Sequence, residues 1–249
     1  MHFKLLTYNI LHGGKGRESL LLAILQKAQA DVVILEEAEQ IQTVREFAQI
    51  LQLFMFTCNG IALLSKYPIT ATQCHRSFPR IHDSILEATL ILPSETVFHL
   101  FAVHPIHYPG SFLDLWRNWQ LRVVREYSKL YVREYCLIAG DFNAIGPADR
   151  VATSSAPFVM RLIYRLQRGN IYRSAIENML RAGFIDCYRQ LHPTDAGFTI
   201  PTGSPKVRLD YIFANARLHS TLLSCDVVTE PSEVHRASDH YPVIAEFEL

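Results

Sequence analysis

Residues Tyr135-Cys-Leu-Ile-Ala139 lead directly into Gly140-Asp-Phe-Asn-Ala144, and Gly146-Pro-Ala-Asp149 follows. The first five form an apolar run of strand length, and the last four have loop composition. An acid and an amide therefore stand two residues apart where a buried strand opens into a loop. In α/β folds such a strand end is rigid yet open, which suits chemistry. Asp141 can polarise a water or bind a metal there, and Asn143 can hydrogen-bond an anionic oxygen. Gly, Asp and Asn also favour turns, so the stretch alone reads equally well as a plain turn. The surrounding chain has to decide.

Upstream, Asp114 to Val132 is a strong helix, with Leu115, Trp119, Leu121, Val123 and Val124 available for a buried face. At the start of the chain, Phe3 to Ile10 reads as a strand carrying Asn9 at its end. His12 to Gly16 is a flexible loop without P-loop spacing. Ser19 to Gln29 repeats apolar residues at helical spacing, and Asp31 to Leu35 is an apolar strand ending in Glu36-Glu37. Strand, helix, strand at this spacing is a βαβ unit with a parallel pair. Gln40 to Gln52 is a second amphipathic helix. Phe54 to Cys58, Gly60 to Ser65, Ile69 to His75, Ile85 to Leu92 and Val97 to His104 are five strand-like runs, read as an antiparallel meander. Downstream, Phe158 to Gly183 is mostly helical, in two pieces broken near Gly169-Asn170. Thr194 to Pro205 is a turn-rich loop, and Val207 to Ala214 and Tyr241 to Leu249 are late strands. Two sections share one plan, an apolar strand ending in acid: Leu35-Glu36-Glu37 and Ala139-Gly140-Asp141. With no repeat or linker, one α/β domain over residues 1–249 with two packed sheets is the economical reading.

Composition narrows the class. Of 249 residues, 49% are hydrophobic and 19% charged, which suits a well-buried core. Formal net charge is zero, so a polyanionic partner must be met by a local basic patch. The five cysteines, Cys58, Cys74, Cys136, Cys187 and Cys225, are scattered without a CxxC pair. Neither a disulfide framework nor a cysteine zinc knuckle is indicated, and a reduced, cytoplasmic setting is expected. Met-His-Phe-Lys runs straight into a strand without a leader pattern. No apolar run approaches the length of a membrane span.

Asn9, Glu37, His104, Asp141, Asn143, Asp210, Asp239 and His240 all fall at strand ends or in the loop before a strand. Strand ends on one side of a sheet converge, so these groups can share one cleft. Acids, amides and two histidines together suit a divalent hard cation and general acid–base work. Any one such Asp is commonly a cap or a turn; eight together make coincidence a poor account.

Thr7-Tyr-Asn-Ile10, Asp31-Val-Val-Ile-Leu-Glu-Glu37, Gly60 to Ile69, Ala102-Val-His104, Gly140-Asp-Phe-Asn-Ala144, Arg208-Leu-Asp-Tyr-Ile212 and Ser238-Asp-His-Tyr-Pro-Val243 stand in this order along nearly the whole chain. In this the chain resembles the endonuclease/exonuclease/phosphatase superfamily, which includes DNase I-like nucleases, abasic-site endonucleases, neutral sphingomyelinases and inositol phosphate phosphatases. The resemblance implies a DNase I-like four-layer α/β sandwich, two packed mixed sheets flanked by helices. It also implies roles. Glu37 resembles the main metal carboxylate, with Asn9 beside it and Asp239 contributing to the metal region. Asp141 resembles the residue that orients or deprotonates the attacking water, and Asn143 a contact to the scissile phosphate. His240 resembles the histidine of the Ser-Asp-His motif and Asp210 the acid that orients it. His104 resembles the second histidine of DNase I-like and sphingomyelinase-like members. Mg²⁺, with Mn²⁺ as substitute, is the implied cofactor.

The chain departs from the pattern at Glu36, where the family usually has Gln. The extra carboxylate either adds to the metal site or turns away into a hydrogen bond. Strand alternation puts Glu36 and Glu37 on opposite faces, and spacing from Asp31 favours Glu37 as the ligand. His104-Pro-Ile-His107 has HxxH spacing, but no Cys or third clustered His supports zinc. His107 and Tyr108 are expected at the cleft mouth. Lys206 and Arg208 flank the Asp210 strand as surface charge by default, with Arg208 the candidate substrate contact. Arg150 to Arg189 holds seven arginines, Arg150, Arg161, Arg165, Arg168, Arg173, Arg181 and Arg189, against Glu177 and Asp186. Phe158, Met160, Tyr164 and Tyr172 are interleaved. Such a patch fits nucleic acid, an anionic lipid headgroup, or an ordinary packed helix pair. The expected activity is Mg²⁺-dependent hydrolysis of a phosphoester, first of all a phosphodiester in DNA or RNA. The alternatives are a lipid- or inositol-directed enzyme and a silent scaffold; no feature points to a protein partner.

Overall fold

Strand β1 (His2–Asn9) shows how the layers arise. Phe3 and Leu5 point to one face and Leu6 and Tyr8 to the other, and all four are fully buried. A strand apolar on both faces needs cover on both, which a parallel pairing inside a layered sandwich supplies. In the computed structural model, which describes residues 1–76, 84–107, 111–152 and 173–249, β1 pairs parallel with β2 (Val32–Glu36) and antiparallel with β12 (Val243–Glu248). The crossover from β1 to β2 carries α1 (Glu18–Ala28), so the expected βαβ unit is present. Helix α2 (Ile41–Leu51) follows, then the hairpin of β3 (Phe54–Cys58) and β4 (Ile61–Ser65). With β11 (Leu222–Val227) they complete a six-stranded sheet in the order β11-β12-β1-β2-β4-β3.

The second sheet runs β5-β6-β7-β8-β10-β9. Its strands are β5 (Ile69–His75), β6 (Ser84–Ile91), β7 (Val97–His104), β8 (Tyr135–Asp141), β9 (Ile185–Asp186) and β10 (Asp210–Ala214). Here β7 and β8 are parallel, joined by α3 (Ser111–Ser128), and the other pairs are antiparallel. The five-run meander is therefore divided at Lys66–Pro68: its first two strands belong to one sheet and its last three to the other. Strands β9 and β11 carried no strand signal. The late strands begin at Asp210 and Val243, later than their apolar runs.

Between the sheets lie Phe3, Leu5, Val32, Ile34, Leu100, Leu137 and Ile212, among others. Helices α1 and α2 cover the outer face of the first sheet. Helices α3 and α4 (Ser174–Arg181) cover the outer face of the second. The expected four layers are formed. Short helices α5 (Cys187–Leu191), α6 (Ala216–His219) and α7 (Val234–Ala237) complete the described α-helices. The first helical piece expected in Phe158–Gly183, with its break at Gly169-Asn170, lies outside the described residues. No helix among them is long and apolar enough to cross a membrane.

One expectation is overturned at the sheet edges. Cys58 on β3 and Cys74 on β5 form a disulfide, with Cα atoms 5.9 Å apart. It links the two sheets at their shared flank. Stacking of the sheets, which sequence spacing does not encode, brings these residues together.

The faces between the sheets share a further pattern. Phe3, Leu5, Thr7, Asn9 alternate along β1 and Val32, Ile34, Glu36 along β2. Phe98, Leu100, Ala102, His104 do so along β7, Leu137, Ala139, Asp141 along β8, and Asp210, Ile212, Ala214 along β10. Each row is apolar through the core and turns polar at the same end of the sandwich. That end is the site.

Candidate functional site

Register brings the polar ends together. Asp210 on β10 lies opposite Asp141 on β8, and Asn9 on β1 is level with Glu36 on β2. Gly140 permits the close approach of β7 to β8. A Cβ there would sit 2.0 Å from the Val103 carbonyl oxygen, and its φ is +144°. Just past β8 the chain makes the expected turn. The Asn143 N–H donates to Asp141 Oδ1 at 2.8 Å, with Asn143 in the left-handed region at φ +49°. The turn and the functional readings thus describe one structure, and the turn presents both side chains. Asn143 Nδ2 also donates to the Pro105 carbonyl at 3.2 Å, tying this loop to the segment after His104.

Asp141 is the meeting point. Its Oδ2 accepts from Asn9 Nδ2 at 3.1 Å and lies 3.7 Å from His240 Nε2 and 3.8 Å from His104 Nε2. His240 Nδ1 donates to Asp210 Oδ2 at 2.9 Å. An acid thus fixes one ring nitrogen and aims the other at Asp141. Ser238 Oγ donates to the Asn9 carbonyl at 2.6 Å, and Asp239, partly exposed, lies beside them. Thr199, which carried no sequence signal, accepts from the Leu209 and Asp210 N–H groups, while its carbonyl takes the Tyr241 N–H. It ties together the two chain segments that bear Asp210 and His240.

Glu37 sits just beyond β2 at φ +53°, so strand alternation no longer governs its direction. Its Oε1 accepts from Asn9 Nδ2 at 3.2 Å and its Oε2 from the His12 N–H at 2.8 Å. The loop from Leu11 to Gly14 has positive φ throughout and wraps this carboxylate. His12, read only as loop, stands over it with Nδ1 3.5 Å from Oε2. Glu36 faces the space between the sheets, wholly buried. Its Oε1 accepts from Thr7 Oγ1 at 2.6 Å, and its Oε2 has no hydrogen-bond partner among the described residues.

Environment separates these groups. Burial would lower the His240 imidazole, but the Asp210 and Asp141 carboxylates lift it to about 10, so it is an imidazolium at neutral pH. Burial pushes the Glu36 carboxyl well up, only partly opposed by Thr7, and the Asp210 and Asp141 charges add to the rise. Partial burial would also raise Glu37. The His12 N–H, the Asn9 amide and the His104 and His12 rings outweigh it and hold Glu37 low and ionised.

The donor chemistry fits the implied metal. Glu37, Asn9, Asp239 and Asp141 offer oxygen, the hard donor set of Mg²⁺ rather than zinc. Among the described residues the group whose ligand atoms lie within 4.8 Å of one another is Asp141, Asp210 and His240. Two of its members are already bonded to each other, which leaves Asp141 as the shared member. The Asn9 amide, between Glu37 and Asp141, connects that group to the expected carboxylate. The HxxH reading gains no such support, since His107 belongs to no group of this kind.

Arg208 is corrected. It is 1% exposed and contacts no open surface. Its Nη2 donates to Asp149 Oδ1 at 2.9 Å and to Asp186 Oδ2 at 2.5 Å, and its guanidinium lies 4.3 Å from the Tyr211 ring centroid. Two carboxylates and an aromatic cage have taken the charge assigned to substrate. The arginine-rich segment is also partly spoken for. Arg173 donates to the Gly146 and Asp149 carbonyls, Arg189 to Asp149, and Arg181 pairs with Glu177 along α4. Arg150 is exposed. Arg161, Arg165, Arg168 and Tyr108 lie outside the described residues.

No curated protein matches this sequence. Solved structures do match in fold. An AP endonuclease from Archaeoglobus fulgidus superimposes with a TM-score of 0.78 at 18% identity, over 99% of this chain and all of that one. The 3' phosphatase NExo from Neisseria, solved with its product DNA hairpin, gives 0.77 at 21% identity, over 99% of this chain and all of that one. An endonuclease/exonuclease/phosphatase from Beutenbergia cavernae gives 0.74 at 18%, over all of this chain and 72% of that one. The endonuclease/exonuclease/phosphatase family model matches residues 6–240, from the first strand through the Ser238-Asp239-His240 motif. With the two-sheet sandwich and the acid–histidine cluster at its open end, that span places the chain in the endonuclease/exonuclease/phosphatase family.

Proposed function

We propose that this protein is a Mg²⁺-dependent phosphohydrolase, first of all a nuclease-like phosphodiesterase, working as one domain over residues 1–249. The observation that carries the reading is Asp141 flanked by the Nε2 atoms of His240 and His104, with Asn9 linking it to Glu37. Glu37, Asn9 and Asp239 would hold the Mg²⁺, with Mn²⁺ as substitute, and the ion supplies positive charge to the phosphoryl oxygens when bound.

The remaining roles belong to the chain. Asp141 orients the attacking water and takes its proton, the Asn9 amide holding the carboxylate in place. His240, kept charged by Asp210, donates to the oxygen where negative charge builds. His104 donates from the other side. Asn143, fixed by its turn, contacts the scissile phosphate. Attack is a single in-line displacement without a covalent enzyme intermediate.

The test is hydrolysis, with Mg²⁺ and with chelator, of bis(p-nitrophenyl) phosphate, p-nitrophenyl phosphate, plasmid DNA and sphingomyelin vesicles. Diester turnover with plasmid nicking is expected. Turnover of monoester alone would replace the reading with a phosphatase. Sphingomyelin turnover would favour the lipid-directed alternative, and inactivity on all four would leave a scaffold. Full metal-dependent activity in both Asp141→Asn and His240→Ala would refute the assigned roles.

A further inference from the structure

Helix α3 lies against the outer face of the second sheet, where an apolar face is the rule. Leu121 and Val124 obey it. Arg117 and Gln120 do not: they are 6% and 1% exposed. Spaced i,i+3, they lie on one face of the helix. Both reach the same residue in the segment after β7. The Ile106 N–H donates to Gln120 Oε1 at 3.0 Å, and Arg117 Nε donates to the Ile106 carbonyl at 3.0 Å.

Ile106 is itself 2% exposed and belongs to no strand or helix. Its backbone donor and acceptor have left the sheet ladder and need other partners, since an unpaired buried amide is costly. An apolar helix face would supply none. The position of Ile106 gives the arrangement a second meaning. Two residues upstream is His104, whose Nε2 lies 3.8 Å from Asp141. One residue upstream, the Pro105 carbonyl takes the Asn143 amide. Three hydrogen bonds therefore hold two consecutive residues of backbone between the two candidate site side chains. Arg117 suits this use, because its planar fork fixes direction as a flexible ammonium does not. Asp114, one turn earlier on α3, holds the start of α4 through Ser174 N–H and Oγ, so the helix presenting the clamp is itself anchored.

We propose that Arg117 and Gln120 are positioning residues of the phosphoester site: by clamping both backbone groups of Ile106 they hold His104 and Asn143 at Asp141. They act through the Pro105–Ile106 backbone, and the Arg117 charge is also felt at Asp141. The inference rests on the phosphoester reading above for its consequence, but the clamp itself is measurable without activity.

The experiment compares wild type with Gln120→Met, which removes the acceptor at similar volume, Gln120→Glu, which restores one, and Arg117→Lys. Three quantities are read: amide exchange at Ile106, kcat and KM on bis(p-nitrophenyl) phosphate with Mg²⁺, and Tm. In Gln120→Met, Ile106 exchange should quicken about tenfold or more and kcat fall about 10- to 100-fold, because a misplacement of about 1 Å can cost that much. KM should change less than about twofold, the signature of an interaction made mainly in the transition state, while Tm falls by about 2–10 °C, the cost of one unpaired buried amide in a chain of this size. Gln120→Glu should restore exchange protection and most of kcat. Arg117→Lys, lacking the fork, should lower kcat without raising KM.

Unchanged Ile106 exchange in Gln120→Met would overturn the clamp. Faster exchange with unchanged kcat would overturn the positioning role, as would a fall in kcat that follows Tm and is not rescued by Gln120→Glu. A wild-type protein that hydrolyses no phosphoester would overturn the functional reading and with it the catalytic consequence, while the exchange measurement would still decide the clamp.

Discussion

Two clusters of buried charge lie at either end of the short stretch Arg208–Asp210, and they are built on opposite principles. In the first, Arg208 and Arg189 meet Asp149 and Asp186, two guanidiniums against two carboxylates. The Tyr211 hydroxyl donates to Asp149 at 2.7 Å, and the Tyr211 and Tyr188 rings flank Arg208. Its charge is balanced within the protein. In the second, Glu37, Asp141, Asp210 and Asp239 face His104 and His240, with buried Glu36 beneath. Among the described residues, His104 Nε2 and Glu36 Oε2 have no hydrogen-bond partner. Here carboxylate outweighs cation. A buried charge cluster that closes on itself holds a fold together; one left acidic suits a cation and an anionic substrate. Residue types alone do not separate the two, since both are Asp-rich and both flank β10. The partners do.

The contrast predicts that damage to each cluster shows in a different measurement. The largest effect belongs to the acidic one. Asp141→Asn or His240→Ala should lower kcat on an activated phosphodiester about 10²–10⁴-fold, the usual weight of a general base or acid. The urea midpoint of Asp141→Asn should stay near that of wild type, whereas His240→Ala also strips the buried Asp210 of its partner and should lose stability as well. Similar losses of stability and activity in both variants would erase the distinction.

Next in size is the balanced cluster. Arg208→Met leaves Asp149 and Asp186 buried without their main counter-charge and should cost about 3–5 kcal/mol in urea unfolding, the range for breaking a buried ion pair. Arg208→Lys should fall between, because an ammonium keeps the charge but cannot reproduce the paired contacts the guanidinium makes to each carboxylate. If Arg208→Met were as stable as wild type but lost phosphodiester affinity, the discarded substrate role would return.

How much of this was legible in the sequence follows from what each residue's role depends on. Asp141 and Asn143 stand at the end of one apolar run and His240 just before another, so local pattern marks them; Asp210 falls inside its run, and the antiparallel pairing of its strand with that of Asp141 brings the two together. Two packed sheets were legible from the run of apolar strands, and the four layers came from the family resemblance. Arg208 was misread because its fate depends on Asp149 and Asp186, 59 and 22 residues away. Nothing local distinguishes a caged arginine from a solvated one. The Cys58–Cys74 pairing failed for the same reason, being fixed by how two sheets stack. Arg117 and Gln120 were invisible because they break the apolar face of a helix whose other residues obey it. The rule for Glu36 and Glu37 held for one of them only: alternation ends where Glu37 takes a left-handed φ.

That pair yields a third prediction, smaller again. If Glu37 holds Mg²⁺ and Glu36 is a buried neighbour bonded to Thr7, saturating Mg²⁺ should raise the stability of wild type and of Glu36→Gln. A ligand at 100 times its Kd adds about 2.7 kcal/mol. Glu37→Gln should lose the metal-dependent part of the Tm shift. A shift lost in Glu36→Gln and kept in Glu37→Gln would exchange their roles.

The smallest expected effect is one of slope, and it returns to the balanced cluster. Burial alone would raise the Asp149 carboxyl, but Arg208, the Tyr211 hydroxyl and Arg189 hold it below the usual range. A carboxyl depressed by folding adds stability that is fully present above its unfolded value, about 3.9. That contribution disappears as pH falls through the folded value, because protonation removes the charge the guanidiniums face. Asp149→Asn lacks the titration. The stability gap between wild type and Asp149→Asn should therefore be flat from neutral pH down to about 5 and close below about 4, as read from urea midpoints at successive pH values. The acidic cluster behaves otherwise, since His240 is raised and its charge persists through the same range. A gap that stayed constant down to pH 3 would mean that Asp149 contributes shape rather than charge, and the balance ascribed to its cluster would be without energetic content.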